Sequence, residues 1–144
     1  MSSFPSAQLP SVCAACKQPG ALQVGQLISD GRLTWFERFS CACGHGFEAD
    51  GAGLPTPAAR AALLAQSGTA ELWLDSEEGR AVLTKLLTRL AGVEEGEATS
   101  RLARLPALAW SGTHAEVAFM QAALEKNGVE ARVVHRVASS EGSP

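Results

Sequence analysis

Four cysteines are the residues of this sequence whose type and spacing point most directly to chemistry. Cys13 and Cys16 are separated by two residues, Cys41 and Cys43 by one, and residues 17–40 lie between the pairs. Thiolate sulfur is a preferred ligand of zinc, and two ligands a few positions apart on a tight turn can bind one ion together. We therefore predict a single structural Zn²⁺ bound by Cys13, Cys16, Cys41 and Cys43.

One histidine competes for a place in this ligand set. His45 follows the second pair, which is one residue shorter than the usual Cys-x-x-Cys spacing. The alternative ligand sets are Cys13, Cys16, Cys43 and His45, or one that combines Cys41 with His45. A protein without a metal is the remaining alternative, because spacing alone does not select among them.

The sequence contains few signals of catalysis. Four thiolates fill the coordination sphere of zinc and leave no place for a reactive water. A redox role for Cys13 would need a helix to begin there and lower its pKa, but Pro19 and Gly20 follow instead. His114 and His135 have no serine or free cysteine placed with them. We therefore expect that this chain is not an enzyme.

The sequence around the cysteines predicts a small β-ribbon that positions them. Two extended runs, 21–28 and 32–41, flank Asp30-Gly31, a pair typical of a two-residue hairpin turn. A short third strand is predicted over 47–49. This segment resembles a zinc ribbon over residues 11–50, and the resemblance implies a structural metal and a surface that binds nucleic acid or the transcription machinery.

The remainder of the chain predicts alternating helices and strands. A Gly/Pro-rich cluster indicates a linker over 51–69, with a short helix over 58–66. The predicted order is strand 71–74, helix 80–90, helix 95–105, strand 107–110, a helix from the capping box at Thr113 to Asn127-Gly128, and strand 129–137. The predicted class is α+β, a small β zinc ribbon followed by a βααβαβ two-layer α/β sandwich over 70–137. Residues 138–144 are predicted to form a disordered tail.

Several features of the second half carry a resemblance to a known domain. The leucine-rich first helix ends at residues 90–93, the second helix stops at Leu105-Pro106, and the third closes over 124–128 before the last strand. In these features the segment resembles the C-terminal domain of the bacterial ribosomal stalk protein. The resemblance implies a non-catalytic domain that recruits translation factors through a lysine-bearing surface of its first two helices. The basic residues at the corresponding helices here are Arg80, Lys85, Arg89, Arg101 and Arg104, and acidic residues accompany them at Glu77, Glu78, Glu94, Glu95 and Glu97.

The composition of the chain limits the classes of molecule that it is expected to bind. The 144 residues carry 12 basic and 15 acidic side chains, a net charge of −3, which disfavours a strongly basic nucleic-acid binder. The sequence contains no apolar run of about 18 residues and no signal peptide pattern, so we expect a cytoplasmic protein without a membrane span. The leading hypothesis is a zinc-binding adaptor that contacts other proteins and is linked to the ribosome or translation. The alternative is a nucleic-acid or transcription-machinery factor that stacks bases on Trp35, Phe36 and Phe39.

Overall fold

The computed structural model describes residues 2–137 as an α+β protein with two antiparallel sheets, which confirms the predicted class. The residues of the predicted tail, 138–144, lie outside the described part. The strands are β1 Ser2–Ser3, β2 Ala7–Val12, β3 Pro19–Ser29, β4 Arg32–Ser40, β5 Gly46–Ala52, β6 Thr69–Leu74, β7 Ala107–Gly112 and β8 Arg132–Arg136. The α-helices are α1 Pro57–Ser67, α2 Arg80–Ala91, α3 Glu95–Arg101 and α4 His114–Lys126.

The first sheet is built around the predicted hairpin of β3 and β4. Asp30 and Gly31 both have positive φ, 52° and 72°, as a two-residue hairpin turn requires. β5 extends the sheet beside β4, and β1 and β2 both pair with β3 on its other side. The sheet therefore begins before residue 11. β2 contains Pro10, which the position of β2 at the sheet edge tolerates.

The segment predicted as a linker contains helix α1, which packs on the first sheet. Thr56 caps the helix by accepting a hydrogen bond from the backbone N–H of Ala59, and Gly68 ends it with a φ of 78°. Its bounds agree with the helix predicted over 58–66. The buried contact between helix and sheet is formed by Ala7, Val24, Ala59 and Leu63.

The second sheet has the order β7-β6-β8, and helices α2, α3 and α4 pack against it. Elements follow one another in the predicted order of strand, helix, helix, strand, helix and strand. The capping box at Thr113 is present, with both of its reciprocal hydrogen bonds to Glu116. The fully buried residues of this core include Leu72, Leu74, Leu83, Leu87, Met120 and Leu124.

In the second half of the chain, the largest differences between predicted and observed ends are at α3 and β8. Helix α3 ends at Arg101 instead of 105, and the carbonyls of Leu102 and Ala103 beyond its end accept hydrogen bonds from the Arg80 guanidinium. Strand β8 begins at Arg132 instead of 129. Val129 belongs to the end of α4, where its N–H donates to the carbonyl of Leu124 across the turn at Gly128.

Charged side chains cover the outer face of the second sheet. The Trp73 indole N–H donates to Glu71, and Arg136 pairs with the same carboxylate. Arg132 lies over the Trp73 ring at 5.3 Å and pairs with Asp75. This face is therefore covered by its own charge pairs and aromatic contacts. Between residues 2 and 137 the α-helices lack the length and apolar run that a bilayer crossing demands.

Candidate metal centre

The four cysteines lie in two loops at one end of the first sheet. The loop with Cys13 and Cys16 joins β2 to β3, and the loop with Cys41 and Cys43 joins β4 to β5. The β3–β4 ladder ends at the pairing of Ala21 with Ser40, so both loops leave the sheet at the same end. Hairpin pairing therefore brings together two cysteine pairs that are far apart in the sequence.

The first loop is a tight turn held by its own backbone. The N–H of Lys17 donates to the carbonyl of Cys13 at 2.8 Å, and the N–H of Cys13 donates to the carbonyl of Gln18 at 2.9 Å. Lys17 has a φ of 63°, and its ammonium group donates to the carbonyl of Ala14. These bonds fold the chain so that Cys13 and Cys16 face the same point.

The second loop explains the short Cys-x-Cys spacing. The N–H of Gly44 donates to the carbonyl of Cys41 at 2.9 Å, and the N–H of Cys41 donates to the carbonyl of His45 at 3.0 Å. Gly44 has a φ of 96°, a conformation that residues with a side chain rarely adopt. The chain therefore turns back at Gly44, directly after Cys43, and the sulfurs of both Cys41 and Cys43 reach the cluster.

The four sulfur atoms form a compact group. The Sγ atoms of Cys13 and Cys43 are 3.6 Å apart, those of Cys16 and Cys41 are 3.5 Å apart, and all four lie within 4.8 Å of one another. All four thiols are free. Tetrahedral zinc with bonds of about 2.3 Å places its sulfurs about 3.8 Å apart. The cysteines thus fit a single tetrahedral ion and could hold one.

Ionisation of the cluster is uneven. The backbone N–H of Cys16 is the main cause that lowers the pKa of the Cys13 thiol to about 6. The backbone N–H of Gln18 favours the Cys16 thiolate, but the side chains of the other three cysteines, Cys41 first, together with burial outweigh it and raise the pKa of Cys16 to about 12. The four sulfurs therefore do not ionise together without a compensating charge, and a divalent cation supplies one.

His45 lies outside the group of ligand atoms that the fold brings together. Its side chain is exposed, its ring centroid is 6.4 Å from that of Phe39, and its backbone carbonyl serves the loop of Cys41. The arrangement of the described residues therefore favours the set of four cysteines over the sets that use His45.

The three aromatic residues considered for base stacking are packed within the first sheet. Phe39 is buried and stacks on Phe47 with centroids 5.6 Å apart. Trp35 lies against Gly51, whose missing side chain leaves room for the indole. Phe36 lies under the guanidinium of Arg38 at 4.8 Å. Their contacts are therefore with residues of the sheet itself, and only Phe39 lies beside the end that carries the cysteine loops.

The basic residues of α2 and α3 divide into two groups. Arg80 and Arg101 each donate to backbone carbonyls and pair with a neighbouring glutamate, so they stabilise the fold. Lys85 and Arg89 are exposed, and no ion pair within residues 2–137 involves them. Spacing alone could not separate these groups. The exposed pair lines a cleft of about 160 Å³ together with Thr84, Thr88 and Glu95.

No protein family, no curated protein and no solved structure matches this chain.

Proposed function

We propose that this chain is a non-enzymatic adaptor of the cytoplasm, in which one structural Zn²⁺ organises a domain joined to a protein-binding α/β domain. The observation that supports this most is the cluster of four cysteine sulfurs, all within 4.8 Å of one another. In this proposal the first half is a zinc ribbon and the second half is a two-layer sandwich of the ribosomal stalk type. The partner is a protein linked to the ribosome or translation.

The proposed role of zinc follows from how little core the first sheet has. Its buried contact with α1 consists of Ala7 and Val24 on the sheet and of Ala59 and Leu63 on the helix. The loop between β2 and β3 and the loop between β4 and β5 lie at one end of the sheet. The cluster of cysteine sulfurs is where these two loops meet. A segment of this size rarely folds stably on so small a core, and a metal ion supplies the missing crosslink.

The proposed partner surface is the exposed side of α2 beside α3. Lys85 and Arg89 point their charges to solvent next to the cleft formed with Thr84, Thr88 and Glu95. Two cations that form no ion pair with residues 2–137, placed beside hydroxyl groups, favour an acidic segment of a partner protein. The outer face of the first sheet offers less to a nucleic acid, because Arg38 lies 4.0 Å from Glu48 and Asp50 is on the same face.

Affinity capture with charge-reversal variants tests this proposal. The full-length, zinc-loaded chain is used as bait after nuclease treatment of the extract, in wild-type form and as Lys85→Glu/Arg89→Glu. Arg32→Glu/Lys126→Glu is the matched control, since it makes the same change in net charge at exposed positions on other elements. The expected result is a protein partner, including translation or ribosomal components, that the first variant loses and the control retains.

Two results would contradict the proposal. One is capture that is unchanged in Lys85→Glu/Arg89→Glu, which would mean that this side of α2 makes no contact. The other is capture that disappears after nuclease treatment, together with retention on heparin that falls steeply with salt, which is the behaviour of a nucleic-acid binder.

A further inference from the structure

We propose that the cysteine cluster is also an oxidation-sensitive site, at which a hydroperoxide converts the four thiolates into two disulfides, Cys13–Cys43 and Cys16–Cys41, and so releases the metal. This inference rests on the proposed zinc binding and adds a regulatory property to the same residues. The inference specifies which cysteines pair, since four cysteines allow three different disulfide pairings.

The pairing follows from the distances between sulfur atoms. The two short contacts, 3.6 Å for Cys13 with Cys43 and 3.5 Å for Cys16 with Cys41, each cross from one loop to the other. A disulfide bond is about 2.0 Å long, so each pair needs its sulfurs to approach by about 1.5 Å. The other possible pairs lie within the same 4.8 Å group, but the two close contacts are between the loops and not within either one.

Exposure of the four cysteine residues sets the order of events. Cys43 is exposed, Cys16 and Cys41 are half-buried, and Cys13 is fully buried. A peroxide approaching from solvent therefore meets Cys43 first, and the partner closest to it, Cys13, is shielded from direct attack. A solvent-accessible cysteine with a second cysteine in reach can form a disulfide after its oxidation to sulfenic acid.

The chemistry balances with a hydroperoxide as the only co-reactant. The Cys43 thiolate attacks the peroxide, the O–O bond breaks, and a sulfenic acid forms as hydroxide leaves. The Cys13 thiolate then attacks the Cys43 sulfur, the S–S bond forms, and a second hydroxide leaves. The two sulfurs lose two electrons, the peroxide gains them, and solvent protons convert both hydroxides to water. A second peroxide oxidises Cys16 and Cys41 in the same way, and Zn²⁺ leaves with its charge unchanged.

The consequence for the fold is that one crosslink replaces another. Both disulfides join the β2–β3 loop to the β4–β5 loop, as the metal does. The end of the sheet therefore stays closed while zinc is lost, and a dithiol restores the thiolates. Oxidation of this site is thus expected to release metal without unfolding the α/β half.

The experiment combines metal release with disulfide mapping on the full chain. Zinc-loaded protein receives hydrogen peroxide in steps, free zinc is read with a chromophoric chelator, and circular dichroism follows the fold. Trypsin then cuts the unreduced protein into residues 1–17, with Cys13 and Cys16, and residues 39–60, with Cys41 and Cys43. The expected product is these two peptides crosslinked, with fragmentation that assigns Cys13–Cys43 and Cys16–Cys41, one zinc released for two peroxides, and little change in helical signal.

Matched double variants test the pairing without zinc. Cys16→Ser/Cys41→Ser keeps the close pair Cys13 and Cys43, whereas Cys16→Ser/Cys43→Ser keeps Cys13 and Cys41. We expect the first to form its disulfide at least about tenfold faster under peroxide. Any of three results would overturn the inference: disulfides within one loop, the other pairing between the loops (Cys13–Cys41 with Cys16–Cys43), or oxidation of single cysteines to sulfinic acid. The zinc content before peroxide is added tests metal binding separately.

Discussion

Arg60 of α1 donates from Nε and Nη2 to the two carboxylate oxygens of Glu116 in α4, at 2.8 Å each. The Glu116 side chain is fully buried, and it also accepts from the Trp110 indole and from the backbone N–H of Thr113. Since α1 packs on the first sheet and α4 on the second, this ion pair ties the two halves together. The hydrogen bonds to Glu116 raise the pKa of Arg60, so it stays charged.

Removing this guanidinium is expected to destabilise the whole chain. Arg60→Ala leaves a buried carboxylate without its cation, a change that costs about 3 kcal/mol of unfolding free energy. Arg136→Ala is the control, because Arg136 also pairs with a glutamate, Glu71, but is 62% exposed. That pair contributes less than about 1 kcal/mol. Urea denaturation of both variants measures the difference, and equal losses would mean that the Arg60 pair is no stronger than a surface pair.

A histidine near the same contact makes stability depend on pH. His114 is the first residue of α4, and its ring lies 4.7 Å from that of His135. Burial, followed by the charge of His135, lowers the pKa of His114 below its usual 6.5. Below about pH 6.5 His114 binds a proton more readily in the unfolded chain than in the folded chain. The contribution of neutral His114 to stability is therefore complete above about pH 6.5 and is lost as the pH falls toward the folded-state pKa.

His114→Gln removes this contribution. Urea denaturation at about pH 7.5 and about pH 5.5 should show a smaller loss of stability in the variant than in the wild type, because glutamine does not titrate. Since both proteins keep the cysteines, effects of pH on the metal centre cancel in the comparison. The same loss in both proteins would contradict the assignment.

The ligand set is tested by two neighbouring substitutions. Cys43→Ser replaces a thiolate with a weak ligand and is expected to lower zinc affinity by at least about tenfold. His45→Ala is the matched control, because His45 lies two residues away and outside the sulfur cluster. A competition titration with a chromophoric chelator gives both affinities. Loss of zinc in His45→Ala, with binding kept in Cys43→Ser, would show that the histidine is the ligand.

Two glycines are predicted to respond to alanine in opposite directions. A side chain at Gly25 would collide with the ring of Phe36 across the β3–β4 ladder. Gly25→Ala should therefore cost about 1–3 kcal/mol. Gly96 in α3 has open space where a Cβ would lie, so Gly96→Ala should gain about 0.4–1 kcal/mol. Thermal unfolding of the two variants checks both signs, and a stabilised Gly25→Ala would refute the proposed contact with Phe36.

Features encoded by neighbouring residues could be predicted from the sequence. The Asp30-Gly31 turn and the Thr113 capping box both depend on residues within a few positions of each other, and both are present. The cysteine pairs were also local, and a hairpin brings them together by strand pairing. The class and the order of elements followed from such signals.

Other features depend on contacts that no local pattern contains. Arg60 and Glu116 lie 56 residues apart, and the packing of α1 on the sheet joins Ala59 and Leu63 to residues far away in the sequence. β2 was missed because its short run contains Pro10. Spacing also left His45 open as a ligand, and the backbone turn at Gly44 is what brings Cys41 and Cys43 to the cluster.

The central claim is that one zinc ion holds the loop of Cys13 and Cys16 to the loop of Cys41 and Cys43. Native mass spectrometry of the full chain, followed by thermal unfolding with and without a strong chelator, tests it most directly. The account predicts one zinc per chain and a melting temperature that falls by at least about 6 °C on chelation, as a loss of about 3 kcal/mol would cause in a chain of this size. A metal-free mass with a melting temperature that the chelator leaves unchanged would contradict it.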